Sequence, residues 1–261
     1  MSDKTALAVI QDSSKYLPAA EDLENVMHDL ADILSPRVFG VVTIAGGGAG
    51  VFKVTEPGAD ESTSVQTIEG VIVASHLVNI RWAHDYGSRQ QGEAPACKSM
   101  DGLSGTDLST GEVHSCQACP YNQFGENGER KACNNKRQLY IMREGDLLPV
   151  LFPLPPSALR AYDNYRVHAS LTLRTPMSAL LTRITLKNKR SANGSDYSSP
   201  VFTALSKLPT EEGRRMEAFA RQIMDAAQRA GISADEVSDD DAAPAQPGGF
   251  VQVDDDELPF S

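Results

Sequence analysis

The sequence predicts an α+β fold built mainly on antiparallel β structure, a β core of barrel or sandwich type with flanking helices. Three observations predict it. Short runs rich in Val, Ile and Leu recur between residues 38 and 208, glycine-bearing turns separate them, and helical periodicity is confined to a few segments.

Taken in order, residues 20–34 place Leu23, Val26, Met27, Leu30, Ile33 and Leu34 on one helical stripe, which Ser35-Pro36 stops. Residues 38–45, 51–54, 65–75 and 77–82 read as strands. The first two flank Gly46-Gly47-Gly48-Ala49-Gly50, which lacks the Gly-Lys-Ser/Thr ending of a phosphate loop and reads as a flexible hairpin connection. Strands are expected again over 138–142 and 147–154. Pro155-Pro156-Ser157 then opens a helix reaching about residue 168. Residues 180–187 alternate apolar and polar side chains, Asn193-Gly194-Ser195 signals a turn, and 200–208 returns, giving a long hairpin with a polar, basic end. A helix over 210–230 starts with Thr210 as N-cap and two acids in its first turn, and Gly231 ends it. Residues 233–253, rich in Asp, Ala, Pro and Gly, hold too few large apolar side chains to fold and are expected to be a disordered tether. The expected organisation is thus a folded unit over 1–232, with a cysteine-bearing insertion at about 97–133, a linker over 233–253 and a short tip over 254–261.

The charge is divided in the same way. Of the net charge of −11, nine units belong to residues 230–261, which contain nine acids and no Lys or Arg. The remainder is nearly neutral, so the low pI describes the tail and does not argue against nucleic-acid binding. No run of about 18 apolar residues appears, and no basic region followed by an apolar stretch opens the chain, so a soluble cytoplasmic protein with no membrane partner is expected.

Cys97, Cys116, Cys119 and Cys133 are all the cysteines of the chain. In a reducing compartment they read as metal ligands or reduced thiols rather than disulfides. Cys116-Gln117-Ala118-Cys119 has the spacing with which a tight turn offers two thiolates to one metal, and Cys97 and Cys133 complete a tetrahedral set for one structural Zn²⁺ per chain. An iron-sulfur cluster is the less favoured alternative, since only one Cys-x-x-Cys knuckle is present, and unligated thiols remain open. His114 could replace one cysteine, but four thiolates suffice and it reads as an exposed loop histidine. His114-Ser115-Cys116 does not fit the His-x-Glu signature of zinc deaminases.

Between residues 126 and 190 twelve Lys or Arg side chains face five acids, the footprint expected for a phosphate backbone, although a solvated charged surface reads the same way. Lys131, Lys136 and Arg137 flank Cys133, and Arg183, Lys187, Lys189 and Arg190 line the hairpin. Trp82, Tyr121, Phe124 and Tyr140 are the candidate stacking surfaces for bases, with Tyr197 at the hairpin end. Core packing is the competing role, strongest for Trp82 and Tyr140 because they lie on strands.

The last residues are Asp254, Asp255, Asp256, Glu257, Leu258, Pro259 and Phe260, followed by Ser261. This ending resembles the acidic C-terminal tip of bacterial single-stranded DNA-binding proteins, although there the phenylalanine is terminal. The resemblance implies an OB-like barrel and a tip whose ring and carboxylates dock onto replication or recombination proteins; the charge run alone also reads as a disordered, solubilising tail. The cysteine segment, from Cys97-Lys98-Ser99 through Cys116-Gln117-Ala118-Cys119-Pro120 to Cys133-Asn134-Asn135, is similar to a pattern in presumed DNA-binding proteins of bacteriophages and mobile elements. That similarity implies a phage-type setting and supplies no catalytic residues. The expected function is a non-enzymatic protein that coats single-stranded DNA and recruits partners, with self-association left open. A metal-containing nuclease and a zinc-loop replication or transcription adaptor are the alternatives.

Overall fold

A computed structural model describes residues 7–9, 15–16, 38–84, 88, 93–125, 131–191 and 194–229, with side chains up to residue 225 in the last helix. The helix expected over 20–34, the turn residue Asn193, the tether and the tip lie outside them.

The described residues form an α+β structure around one mixed, mainly antiparallel sheet. Its strands are β1 (Val41–Ile44), β2 (Phe52–Thr55), β3 (Ser62–Val65), β4 (Ile68–Arg81), β5 (Cys97–Ser99), β6 (Ser104–Asp107), β7 (Val113–Ser115), β8 (Cys133–Met142), β9 (Val150–Leu154), β10 (Leu180–Arg190) and β11 (Asp196–Lys207). The main path runs β3-β2-β1-β9-β8-β4-β5-β6-β7, and the β10–β11 hairpin joins β4 beside β5. All ladders between these strands are antiparallel except the short β1–β9 contact at Val41 and Leu151. No ladder among the described residues joins β3 to β7 or β11, so the sheet is open rather than the closed barrel expected.

Helix α1 (Pro156–Val167) and helix α2 (Thr210–Arg229) cover opposite faces. Alternation along β8 and β9 feeds both cores: Tyr140, Met142 and Leu151 pack with Met216, Phe219 and Ile223 of α2. Leu139, Ile141, Val150 and Phe152 pack with Ala158, Tyr162 and Tyr165 of α1. Each large apolar side chain so buried contributes about 1.5–3 kcal/mol, which fixes the register of these strands, since a one-residue slip would exchange the two cores.

β4 is one strand of 14 residues rather than the two expected. His76, which reads as a polar break in the sequence, is buried against the Tyr140 ring at 5.5 Å between centroids. The register against β8 shifts between Ile72 and Ala74, and this bulge reverses the facing of the rest of the strand. Val71 and Val73 face α2, whereas Ser75 and the other odd-numbered residues beyond the bulge face the α1 side. That reversal delivers Leu77, Asn79 and Arg81 to the face on which the cysteines gather.

The glycine loop expected to be a flexible connection does join the β1–β2 hairpin, and it is docked. The backbone N–H of Gly50 donates to Ser198 Oγ at 3.1 Å, and Ser198 Oγ donates to Asn188 Oδ1 at 3.1 Å. Gly48, at φ +69°, lies so close to Asp196 that a Cβ there would sit 3.0 Å from the Asp196 Cβ. Pro200 stands within β11, whose one strand ladder among the described residues is with β10, so its missing N–H interrupts no second ladder there.

Candidate metal and nucleic-acid site

Arg81 ends β4 between two cysteines. Across one ladder it faces Cys133, the first residue of β8, and across the other it faces Cys97, the first residue of β5. Because facing residues in neighbouring strands share a side of the sheet, register alone puts two distant cysteines on one face, flanking Arg81. The cysteine-bearing segment contributes three short strands, β5 to β7, which extend the main sheet from β4. It is therefore continuous with the sheet.

Cys116 and Cys119 come from the loop after β7. Cys116 N donates to Leu103 O at 2.8 Å, and Asn122 N to Cys119 O at 3.0 Å. The side-chain amides of Asn122 and Gln123 donate to Cys116 O and Gln117 O, each at 2.8 Å, tying residues 116–123 into a closed turn. His114, on β7 opposite Gly105, brings Nε2 to 3.6 Å from Cys97 Sγ. A Cβ at Gly105 would lie 3.1–3.3 Å from Cys97 Sγ, His114 Nε2 and Cys116 Sγ, so glycine there leaves the space into which these donors point.

All four cysteines line one cavity of about 10 Å³, together with Asn79, Arg81, Ser99, His114, Tyr121 and Asn122. That is room for a single water-sized occupant. Among the described residues no group of three or more His, Cys, Asp or Glu is arranged to hold a metal ion as it stands. The donor set still suits zinc: soft thiolates, four in number, three of them buried. Burial pushes the Cys133 thiol up to about 12, and Cys116, Cys97 and Cys119 add to the rise. Burial likewise raises Cys97, followed by Cys116. Without a cation these groups are neutral thiols, and a bound divalent ion would reverse that by releasing their protons.

Two aromatic side chains stand at the rim. Tyr121 is 51% exposed, with the Arg81 guanidinium 4.3 Å from its ring centroid. Phe124 is 61% exposed, with Lys131 Nζ 5.0 Å from its ring centroid. Lys131 also donates to Asn135 Oδ1 at 3.2 Å, and Asn135 Nδ2 donates to Asn79 Oδ1 at 2.7 Å, so a polar strip crosses β8 and β4. Further along the same face Arg137 donates to Ser75 Oγ at 3.5 Å and lies 5.9 Å from the Tyr162 ring of α1. Its buried Nε finds no acceptor. Charge-bearing donors next to exposed aromatic rings are what a phosphate backbone and its bases require.

Several expected contacts fall elsewhere. Tyr140 is 1% exposed, its hydroxyl accepting from Gln138 Nε2 at 3.2 Å and pushed up to about 12 chiefly by burial, so it offers no face to a base. Lys136 and Arg137 are neighbours on a strand and project to opposite faces, so one surface does not hold both. The hairpin cations lie at the other end of β4: Arg183 pairs across the ladder with Glu69, on the order of 40 Å from Arg81 at the usual strand rise. Arg183 Nε is bound to Glu69 Oε1 at 2.7 Å, and Arg190 Nε lies 3.8 Å from Asp196 Oδ1. Lys187 and Lys189 are exposed, with the alternation expected, since Ile184 is buried between Arg183 and the half-buried Thr185. Trp82 comes directly after Arg81, half-buried. Tyr197 is likewise half-buried on β11, where it faces Lys189. The partner-binding residues 254–260 lie outside the described residues.

Sequence reading missed Arg81, Asn79 and Asn135. An arginine closing an otherwise apolar strand is a weak signal, and only the β4–β8 register turns it into a site. Comparison with known protein families, curated proteins and solved structures finds no match to this chain.

Proposed function

We propose that this protein binds single-stranded DNA through the α1-side face of β4 and β8, with the cysteine cluster as a structural zinc centre and no catalytic role. The observation that carries the reading is the pairing of exposed rings with cations on that face, Tyr121 with Arg81 and Phe124 with Lys131, beside Arg137. Stacking on such rings is worth about 1–3 kcal/mol per base and tolerates any base, while the cations supply the salt-dependent part. The scaffold is an open β core. The OB-like aspect of the reading extends only to its use of a sheet face and adjoining loops to hold a strand.

Zinc enters through the four thiols. Cys97, Cys116, Cys119 and Cys133 would hold one ion, which would supply a cross-link that steadies the turn presenting Tyr121. An iron-sulfur cluster would use the same ligands and would colour the protein brown. The acidic tip is the recruiting element in this reading: Leu258 and Phe260 fill an apolar pocket on a replication or recombination protein while Asp254–Glu257 meet its basic rim. The reading places its action in the cytoplasm, in the bacteriophage or mobile-element setting that the resemblance of the cysteine segment implies. The test is an anisotropy titration of one labelled strand, alone and annealed to its complement. Tighter binding of the single strand is expected, and equal or tighter binding of the duplex would overturn the proposal.

A further inference from the structure

Outside the cysteine cavity, and sharing Arg81, His114, Cys119 and Tyr121 with it, is a wider groove of about 350 Å³. That is the size of a small-ligand cleft. Its remaining wall consists of Asp107, Glu112, Ser115, Ala118 and Pro120. Within an interface for a polyanion, two carboxylates are out of place unless each meets a cation or an N–H group.

Asp107 is committed. Its Oδ1 accepts from Ser109 N at 2.9 Å, Ser109 Oγ at 2.5 Å and Thr110 N at 3.2 Å, and its Oδ2 lies 3.7 Å from an Arg81 nitrogen. Its carboxyl is held below the usual range, first by the Ser109 hydroxyl. Glu112 is exposed at the end of the same turn, its backbone N–H donating to Thr110 Oγ1 at 3.2 Å. The groove therefore offers one aromatic face, one guanidinium, the His114 imidazole and one further carboxylate.

We propose that this groove is a guanine-reading pocket for one nucleotide of a bound single strand, an inference that rests on the single-stranded DNA reading above. Guanine alone among the four bases presents two adjacent N–H donors, N1–H and the 2-amino group, to which one carboxylate bonds through both oxygens. On its other edge O6 and N7 form the acceptor pair that suits a guanidinium. Tyr121 supplies the stacking surface once the Arg81 guanidinium leaves its place 4.3 Å from the ring centroid, Glu112 receives the two donors, and Arg81, only loosely engaged by Asp107, turns to O6 and N7. Adenine and cytosine each offer a carboxylate a single exocyclic amino group, and thymine a single ring N–H flanked by acceptors that repel it. The groove would then add preference at one position to an otherwise base-tolerant interface.

The experiment compares an all-thymine oligonucleotide with the same strand carrying one central guanine or one central hypoxanthine, which lacks the 2-amino group. Binding is measured by anisotropy for the parent, Glu112→Gln and Tyr121→Ala, with guanosine monophosphate titrated separately by calorimetry. The guanine strand should bind the parent roughly tenfold more tightly than all-thymine, the gain expected of one bidentate pair. Hypoxanthine should lose most of that gain. Glu112→Gln should abolish the preference while leaving all-thymine affinity unchanged or slightly higher, whereas Tyr121→Ala should weaken all strands. Equal parent affinity for all three strands overturns the pocket and leaves the single-strand reading standing. If no strand binds, that reading fails, and the nucleotide titration decides the pocket: saturable binding lost in Glu112→Gln supports it, and absence of binding overturns it.

Discussion

Replacing His76 with Phe should remove most of the folded protein's mild-acid sensitivity. His76 is buried on β4 with both ring nitrogens lacking a hydrogen-bond partner. Burial pushes its pKa down to about 4, and the nearby Arg137 charge adds to the shift. The ring is therefore neutral in the folded state. An unfolded chain takes up the proton below the ordinary value of 6.5, while the folded chain refuses it until about 4, so stability present above 6.5 is lost as pH falls through that window. The whole window is worth about 3 kcal/mol, of which about 2 kcal/mol is gone by pH 5. Phe keeps the ring contact with Tyr140 and does not titrate. Any packing cost of the slightly larger ring cancels when each variant is compared with itself. Urea unfolding at about pH 7.5 and pH 5 should thus show the parent losing about 2 kcal/mol more than His76→Phe over the interval. Equal losses in the two proteins, or a His76 resonance titrating near 6.5, would mean that burial does not hold the ring neutral.

Gly70→Ala should cost about 3 kcal/mol or more in the same unfolding assay, because its Cβ would lie 2.5 Å from Met142 O and 2.7 Å from Ile141 Cγ2, against backbone that cannot retreat. A change below about 1 kcal/mol would mean that β4 and β8 are less tightly apposed. Cys133→Ser should abolish zinc uptake, measured as metal per chain after gel filtration, whereas the parent should carry about one ion; equal metal in both would exclude the cysteine centre. Phe260→Ala should abolish capture of a replication protein as fully as deleting residues 254–261 while leaving DNA affinity unchanged, and capture that survives the loss of the ring would reduce the tail to a solubilising role.

Strong periodicity made parts of the fold legible in the sequence. Met216, Phe219, Ala220 and Ile223 recur at helical spacing and do form the buried stripe of α2, and the alternation of Arg183, Ile184 and Thr185 sets the facing of β10. The misreadings have local causes. His76 interrupts an apolar run that the fold keeps continuous by burying a neutral ring, and Ser62–Val65 is too polar to announce a strand that β2 nevertheless pairs. The strands of the cysteine segment are three or four residues long and gain their order from β4, a long-range effect that no window of local sequence contains. For the site, the clustering of cysteines in sequence foretold their convergence in space. The bulge at Val73, which turns Arg81, Asn79 and Ser75 towards them, left no such mark, and neither did the separation of the hairpin cations from Lys131 and Arg137.

On a strand with no guanine in the groove, Arg81, Lys131 and Arg137 should contact the phosphates while Tyr121 stacks on a base. The deciding measurement is the salt dependence of affinity for an all-thymine strand in the parent, in Lys131→Ala/Arg137→Gln and in Tyr121→Ala. Three phosphate contacts predict a logarithmic slope of about −2, a loss of about 20-fold between roughly 50 and 200 mM salt. The double variant should fall to a slope of about −0.7. Tyr121→Ala should keep the parent slope and lose about 1–3 kcal/mol at every salt concentration. A double variant with the parent's slope and affinity would contradict the account, because the strand would then lie on some other surface of the protein.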